Sequence, residues 1–145
     1  MNRIWDTNGK YSGAVLKEFN HWVIEVSFRQ HTPGSFIIFA KRKIERISQL
    51  NNKEAIELTK VMSEIETALS KSPVFKPDRF NYLQLGNALH HLHFHGIPRY
   101  KKPRTFYNKD WVDNAWGHPP IFSKTEVSKN LVLAVKDELL KHLQK

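Results

Sequence analysis

The distribution of apolar and polar residues predicts two neighbouring strands in the first third of the chain. Residues 22–28 (WVIEVSF) and 35–40 (SFIIFA) are rich in β-branched and aromatic side chains, a composition that favours strands. Residues 31–34 (HTPG), between the two runs, have the composition of a turn. We therefore expect the two runs to be strands joined by a short loop.

Apolar residues recur at helical spacing after residue 50. The pattern extends over residues 51–70, where Asn51 and Glu54 have the spacing of an N-terminal capping pair. A second helical pattern extends from about residue 124 to 142, with Ser123 and Glu126 at capping spacing. These patterns predict two amphipathic helices, with Leu58, Val61, Met62, Ile65 and Leu69 on one apolar stripe and Val127, Leu131, Ala134, Val135 and Leu139 on the other.

Two further strands are predicted in the second half of the chain. Residues 80–85 (FNYLQL) form the first, Gly86 and Asn87 interrupt the pattern, and a histidine-rich strand extends to about residue 97. Residues 99–122 hold prolines, charges and many aromatic rings, a composition typical of an ordered loop. The whole pattern predicts an α+β fold, with two helices packed against a mainly antiparallel sheet.

The histidine-rich strand carries the most informative spacing in the chain. His91, His93 and His95 alternate with Leu92 and Phe94. Successive side chains of a strand point to opposite faces, so three imidazoles are expected on one face and two core residues on the other. Imidazole can act as a nucleophile, a proton donor or a metal ligand near neutral pH. The spacing alone therefore permits a catalytic site, a metal site or a structural cluster.

Composition and charge narrow the class of protein. The 145 residues, 40% of them hydrophobic, suit one domain with a single core. The absence of cysteine excludes disulfides, thiolate metal sites and a cysteine nucleophile. Residues 1–10 lack the apolar run of a signal peptide, and no segment reaches the roughly 20 apolar residues that span a bilayer. We expect a soluble cytoplasmic protein with no membrane partner.

The chain is strongly basic. It contains 23 lysines and arginines against 14 aspartates and glutamates, a net charge of +9. Such a balance favours partners that carry phosphate. The basic residues are dispersed rather than gathered in a polybasic tail, which favours nucleotides over nucleic acid.

The residues around the histidines resemble a known family. Residues 91–97 (HLHFHGI) resemble the histidine triad (HIT) motif of nucleotide hydrolases and transferases. Residues 81–100 are also similar to a diadenosine tetraphosphate hydrolase-like branch of that family, through Asn81-Tyr82, Leu85-Gly86-Asn87 and Ile97-Pro98-Arg99-Tyr100. The similarity extends over about residues 20–122, with a helix after it, and implies a HIT-like fold over a single domain, 1–145.

The resemblance implies a role for each motif residue. His93 would attack the α-phosphate of a nucleotide and form a covalent nucleotidyl-histidine. His91 and His95 would flank the transferred group and donate hydrogen bonds to its oxygens. Asn87 would bind phosphate, with Gly86 allowing the turn that brings it there. The resemblance also places Asn81 and Arg99 among the substrate-binding residues, whereas His90 is expected to point away from the site.

Some positions depart from the family pattern. Gly96 stands where the family usually has an apolar side chain, and we expect it to loosen the end of the strand. The acidic residue that holds the ribose hydroxyls in many members has no counterpart over residues 26–31. Trp111, Trp116, His118 and Phe122 are candidates for stacking on a base, with packing as the alternative, and Lys101, Lys102 and Arg104 are candidates for binding distal phosphates.

The resemblance implies a nucleotide hydrolase or nucleotidyl transferase, with dinucleoside polyphosphates such as diadenosine tetraphosphate among its substrates. The alternative is a nucleotide- or RNA-binding module of the same fold with little turnover, favoured by the charge and the missing acid. No metal or other cofactor is required by the mechanism, although Mg²⁺ can accompany a polyphosphate substrate. A homodimer is expected.

Overall fold

The computed structural model describes residues 4–5 and 11–144. Within these residues, one antiparallel sheet is formed by β1 (Val15–Glu18), β2 (Trp22–Val26), β3 (Phe36–Ala40), β4 (Arg79–Leu83) and β5 (His93–Arg99). The strands lie in the order β1-β2-β3-β5-β4. Together with the helices α1 (Asn52–Lys71) and α2 (Lys129–Leu140), this sheet confirms the predicted α+β fold.

One face of the sheet forms the main hydrophobic core. Both helices contact the sheet, and alternate residues of the strands pack against them. This core includes Trp22, Ile24, Val26, Phe36, Ile38, Leu92 and Phe94 from the sheet side and Val61, Ile65, Leu69, Val132, Val135 and Leu139 from the helices. The histidines of β5 therefore belong to the opposite face, where Trp5 packs against Val23 and Phe39.

The first helix begins as the sequence predicts. The Asn51 side chain accepts a hydrogen bond from the Glu54 backbone N–H, and the Glu54 carboxylate accepts one from the Asn51 backbone N–H. This reciprocal pair is a capping box. Arg42 also forms an ion pair with Glu54, 2.8 Å between Nη2 and Oε1, which ties the end of β3 to the start of α1.

The second helix begins later than predicted. Ser128 caps it by accepting from the backbone N–H of Leu131, so the expected cap at Ser123 is wrong. The reason is a tertiary hydrogen bond, from the Val127 backbone N–H to the Phe28 carbonyl, which holds the preceding residues extended against the sheet. Residues 118–127 therefore form a segment that crosses the edge of the histidine-bearing face.

Three short strands lie outside the predicted ones. β1 contains Lys17 and Glu18, and its polar residues conceal the strand pattern. Within residues 99–122 the chain forms a hairpin from β6 (Arg104–Phe106) and β7 (Lys109–Trp111). Tyr107 and Asn108 at its turn have φ angles of 56° and 55°, the conformation of a two-residue hairpin loop. The segment is ordered, as expected, but it contains this hairpin where the sequence analysis predicted only a loop.

Gly96 does not loosen its strand. It pairs with Phe36 of β3 and Tyr82 of β4, and the Phe36 ring occupies the space above it. The glycine is therefore part of the core packing. Of the described helices, neither has the length and apolar character needed to cross a membrane.

Candidate active site

Two imidazoles of the triad lie side by side on β5. The ring centroids of His93 and His95 are 5.0 Å apart, with the ring planes nearly perpendicular. Leu92 and Phe94 are buried in the core on the other face, as the alternation predicts. His91 lies two residues before the first residue of β5, so its ring is placed by a loop rather than by the strand.

The tautomer of His93 follows from one contact. Its Nδ1 lies 2.6 Å from the backbone carbonyl oxygen of His91. A carbonyl oxygen can only accept a hydrogen bond, so Nδ1 must carry the proton. In the neutral ring the lone pair is then on Nε2. His93 is 6% exposed and packs against the Phe39 ring, which fixes the direction of that lone pair.

His91 positions the His93 ring and the start of the strand. Its ring is buried, and its Nε2 donates to the carbonyl of Ala40 at 2.6 Å. The Ala40 backbone N–H in turn donates to the Leu92 carbonyl. The His91 ring thus ties the entry to β5 onto the end of β3, while its own carbonyl orients His93.

A fourth imidazole lies beside His95. His31, from the loop between β2 and β3, has its ring centroid 6.4 Å from that of His95. Burial lowers the pKa of His95 to about 4, and the neighbouring His93 and His31 add to the shift. Burial and the charge of Arg29 lower the pKa of His31 to about 4 as well. Both rings are therefore neutral at pH 7 in the free protein.

These low pKa values make stability depend on pH. In the unfolded chain imidazole titrates near its ordinary value of about 6.5, so between about pH 6.5 and 4 the unfolded state binds more protons. Stability is expected to fall as the pH drops through this window and to be unaffected by these groups above it. Urea unfolding at pH 7 and pH 5 should show a smaller loss for His31→Gln than for wild type. Equal losses in the two proteins would contradict the neutral His31.

A cavity of about 330 Å³ opens beside His95. This size is at the lower end of the range for small-molecule sites. Its wall combines apolar groups with a few polar ones, among them Glu25, Ser27, Phe28, His31, Ile37 and Phe122. The cavity therefore offers an apolar slot next to two imidazoles.

Glu25 is a site residue that the sequence analysis missed. It lies on β2, one residue before the range searched for a ribose-binding acid, and it is 8% exposed. Glu25 pairs with Ile37 on the adjacent strand β3, and Ile37 pairs in turn with His95 on β5. Side chains alternate along β2, so Glu25 lies with Val23 on the face that carries the histidines. This alternation is visible in the sequence and could have identified Glu25 as a site residue.

Of the four candidates for base stacking, Phe122 borders the cavity. Its ring lies 4.2 Å from the His31 ring in a stacked arrangement and 5.2 Å from the His95 ring edge-on. Trp111 is buried and its indole N–H donates to the Phe106 carbonyl. Lys101 lies over the Trp116 ring. The structure brings Phe122 to the histidines and places both tryptophans in packing positions.

Arg99 and Asn81 hold a loop. The Arg99 guanidinium donates to both carboxylate oxygens of Asp113, to the Asn81 side-chain oxygen and to the carbonyls of Ala115 and His118. Arginine has five N–H groups, and these five hydrogen bonds use all of them. Despite burial, which acts in the opposite direction, the hydrogen bonds from Arg99 keep the pKa of Asp113 low. We assign Arg99 and Asn81 to anchoring residues 113–118, not to substrate.

The remaining candidates, Gly86, Asn87, His90 and Arg104, do not line the cavity beside His95. Gly86 has a φ of 73°, which favours glycine, and it precedes the exposed Asn87 in the loop between β4 and β5. His90 is exposed, and its Nε2 contacts the Asn87 carbonyl. Arg104 donates to the carbonyls of Phe75, Lys76 and Lys102, which gives it a structural role.

Two ring nitrogens of the triad are held by the backbone. His91 Nε2 and His93 Nδ1 are both engaged with backbone carbonyls. In the part of the chain that the structure describes, no three metal-ligating side chains are grouped to hold an ion.

Comparison with known proteins identifies the family. A search of curated proteins found no match. Solved structures with the same fold include a histidine triad nucleotide-binding protein from Sulfolobus tokodaii (18% identity, covering 90% of this chain and 83% of that one, TM-score 0.64). Others are the histidine triad protein blr8122 from Bradyrhizobium japonicum (18%, 97% and 98%, 0.64) and a histidine triad protein from Marinobacter aquaeolei (23%, 90% and 90%, 0.62). Residues 8–102 match the HIT domain family, and the chain belongs to that family.

Proposed function

We propose that this protein hydrolyses or transfers nucleoside phosphate groups at the α-phosphate through a covalent nucleotidyl-His93. The observation that carries the proposal is the hydrogen bond from His93 Nδ1 to the His91 carbonyl, which leaves Nε2 as the nucleophile. Family membership implies nucleotide binding and nucleotidyl hydrolase or transferase activity.

The first step forms a bond between nitrogen and phosphorus. His93 Nε2 attacks the α-phosphorus, and the bond from phosphorus to the leaving-group oxygen breaks. The ring becomes positively charged, and the His91 carbonyl stabilises that charge through the Nδ1–H hydrogen bond. In the second step water attacks the phosphorus and gives a proton to the neutral His95, the N–P bond breaks, and the nucleoside monophosphate leaves as the His93 ring returns to its neutral state.

His95 acts on the oxygens of the transferred group. Its ring lies 5.0 Å from the His93 ring between centroids, close enough for both to contact one phosphoryl group. Because its pKa is low in the free protein, His95 is neutral before substrate binds and offers an N–H hydrogen bond. A bound phosphate raises this pKa through its negative charge, which favours the protonated imidazolium, and this form gives a proton to the leaving-group oxygen.

The cavity beside His95 is proposed as the nucleoside site. Phe28 and Ile37 supply apolar contact for a base, and Glu25 supplies a carboxylate that accepts hydrogen bonds from hydroxyl or amino groups. Ser27, which also lines the cavity, is not acidic, and residues 26–31 contain no carboxylate. Glu25, two residues earlier than Ser27 on the same face, is proposed to take the place of the ribose-binding acid.

The proposed function extends to the substrate class, the metal requirement, the location and the oligomeric state of the protein. Substrates are dinucleoside polyphosphates such as diadenosine tetraphosphate, or phosphoramidates of nucleoside monophosphates. No resident metal is required, and Mg²⁺ accompanies a polyphosphate. We also propose that the protein is cytoplasmic and forms a homodimer. The candidate contact surface of the dimer is a groove along α1, lined by Met62, Glu66 and Phe80 beside the edge strand β4.

A single-turnover trapping experiment tests the covalent route. The wild-type protein is mixed with a panel of nucleotides labelled at the α-phosphorus and quenched in denaturant within milliseconds to seconds. We expect label on the protein, released by acid because the N–P bond is acid-labile, and no label on His93→Ala.

Two other results are informative. Turnover of a panel member without any labelled protein would exclude the covalent intermediate. Binding of nucleotides or RNA with no turnover of any panel member would instead assign the chain to the binding-module alternative.

A further inference from the structure

We propose that His31 is a fourth imidazole of the site and that its Nε2–H donates a hydrogen bond to the phosphate of the bound nucleotide. The proposal rests on the proposed function and adds a residue that lies outside the triad motif. His31 comes from the loop after β2, and its ring follows those of His93 and His95, at 5.0 Å and 6.4 Å between successive centroids.

The ring of His31 is held in one tautomer. The backbone N–H of Ser123 donates to His31 Nδ1 at 2.8 Å, so Nδ1 carries the lone pair. In the neutral ring the proton is therefore on Nε2. Phe122, the residue before Ser123, stacks on the same ring at 4.2 Å with 24° between the planes. Two adjacent residues thus fix both the plane of the ring and the position of its donor.

The donor edge of His31 is available to a ligand. Ser123 covers the Nδ1 edge, and no described residue accepts a hydrogen bond from Nε2. His31 borders the cavity beside His95 and also a second cavity, of about 430 Å³, lined by polar residues that include Gln30, Asp110 and Asp113. A ligand that extends from His93 past His95 therefore meets His31 next.

Among the described residues, the cavity is lined by one cation, Arg29, and by two carboxylates, Glu25 and Glu126, the second of which accepts a hydrogen bond from the Tyr11 hydroxyl. Arg29 lies close enough to His31 to affect its titration. Glu25 lies two strands away from His95 across the sheet, about 10 Å at the usual strand spacing. A carboxylate repels phosphate, so the phosphate is expected near the imidazoles and the nucleoside near Glu25.

A matched pair of variants separates the donor from the structural contact. In His31→Gln the amide oxygen can still accept from Ser123 and the amide N–H can still donate to phosphate. His31→Leu loses both. Calorimetry with AMP, GMP, CMP and UMP and with the matching nucleosides measures phosphate-dependent binding. We expect His31→Leu to weaken monophosphate binding about tenfold, His31→Gln to restore most of it, and nucleoside affinity to be unchanged.

Kinetics and a control variant complete the test. Loss of a ground-state phosphate contact raises KM more than it lowers kcat. His142→Leu, at a histidine just after α2 that lines neither cavity beside His31, is expected to bind nucleotides as wild type does. If wild type binds monophosphate but His31→Leu binds it equally well, or loses nucleoside affinity in parallel, this inference fails alone. If wild type binds no nucleotide, the proposed function fails and the inference with it.

Discussion

Replacing His93 with alanine is expected to lower nucleotide turnover by about 10⁴-fold or more, because the group that attacks phosphorus is removed. The ring is nearly buried and its Nδ1–H is held by the His91 carbonyl, so no neighbouring side chain is oriented to replace it. Steady-state hydrolysis of the best substrate in the nucleotide panel, measured beside a thermal unfolding curve of each protein, gives the result.

His91→Ala is the informative comparison. The bond that orients His93 comes from the backbone of residue 91, so alanine retains it. The loss is instead the ring contact with the Ala40 carbonyl, which costs stability of about 1–3 kcal/mol. We expect this variant to keep far more activity than His93→Ala. A folded His93→Ala protein with more than a tenth of wild-type turnover would exclude His93 as the nucleophile.

The elements set by local pattern were predictable from sequence. The alternation of residues 91–95 placed His93 and His95 opposite Leu92 and Phe94, and the Asn51–Glu54 pair located the start of α1. These features depend on neighbours within a few residues along the chain. The start of α2 depends instead on a hydrogen bond between Val127 and Phe28, about a hundred positions apart, which no local pattern contains.

The same distinction applies to the site. The triad was visible because its members are close in sequence, whereas His31 and Phe122 reach His95 from two distant loops. Arg99 lies four residues after His95, and the family resemblance implied a ligand contact for it. Its buried ion pair with Asp113, 2.6 Å between Nε and Oδ2, shows that the residue secures a loop over the sheet. Spacing in sequence locates a residue but does not reveal its partner.

Gly96→Ala is expected to destabilise the fold by about 3 kcal/mol and to lower activity through the histidines beside it. A Cβ at this position would lie 2.1 Å, 2.2 Å and 2.6 Å from three atoms of the Phe36 ring. Phe36 is 1% exposed and packs edge-on against Tyr82, so it has no free space to enter. Either its ring or β5 must move, and β5 carries His93 and His95. Urea unfolding at pH 7 measures the loss of free energy.

A double-mutant cycle assigns that loss to the contact with Phe36. Phe36→Leu shortens the side chain over Gly96, so the double variant is expected to be more stable than the sum of the two single effects predicts, by about 1–3 kcal/mol. Gly117→Ala is the matched control, because nothing lies within 4 Å of the Cβ it adds and the position is exposed. Additive effects in the cycle would show that Gly96 is required for a reason other than the space taken by the Phe36 ring.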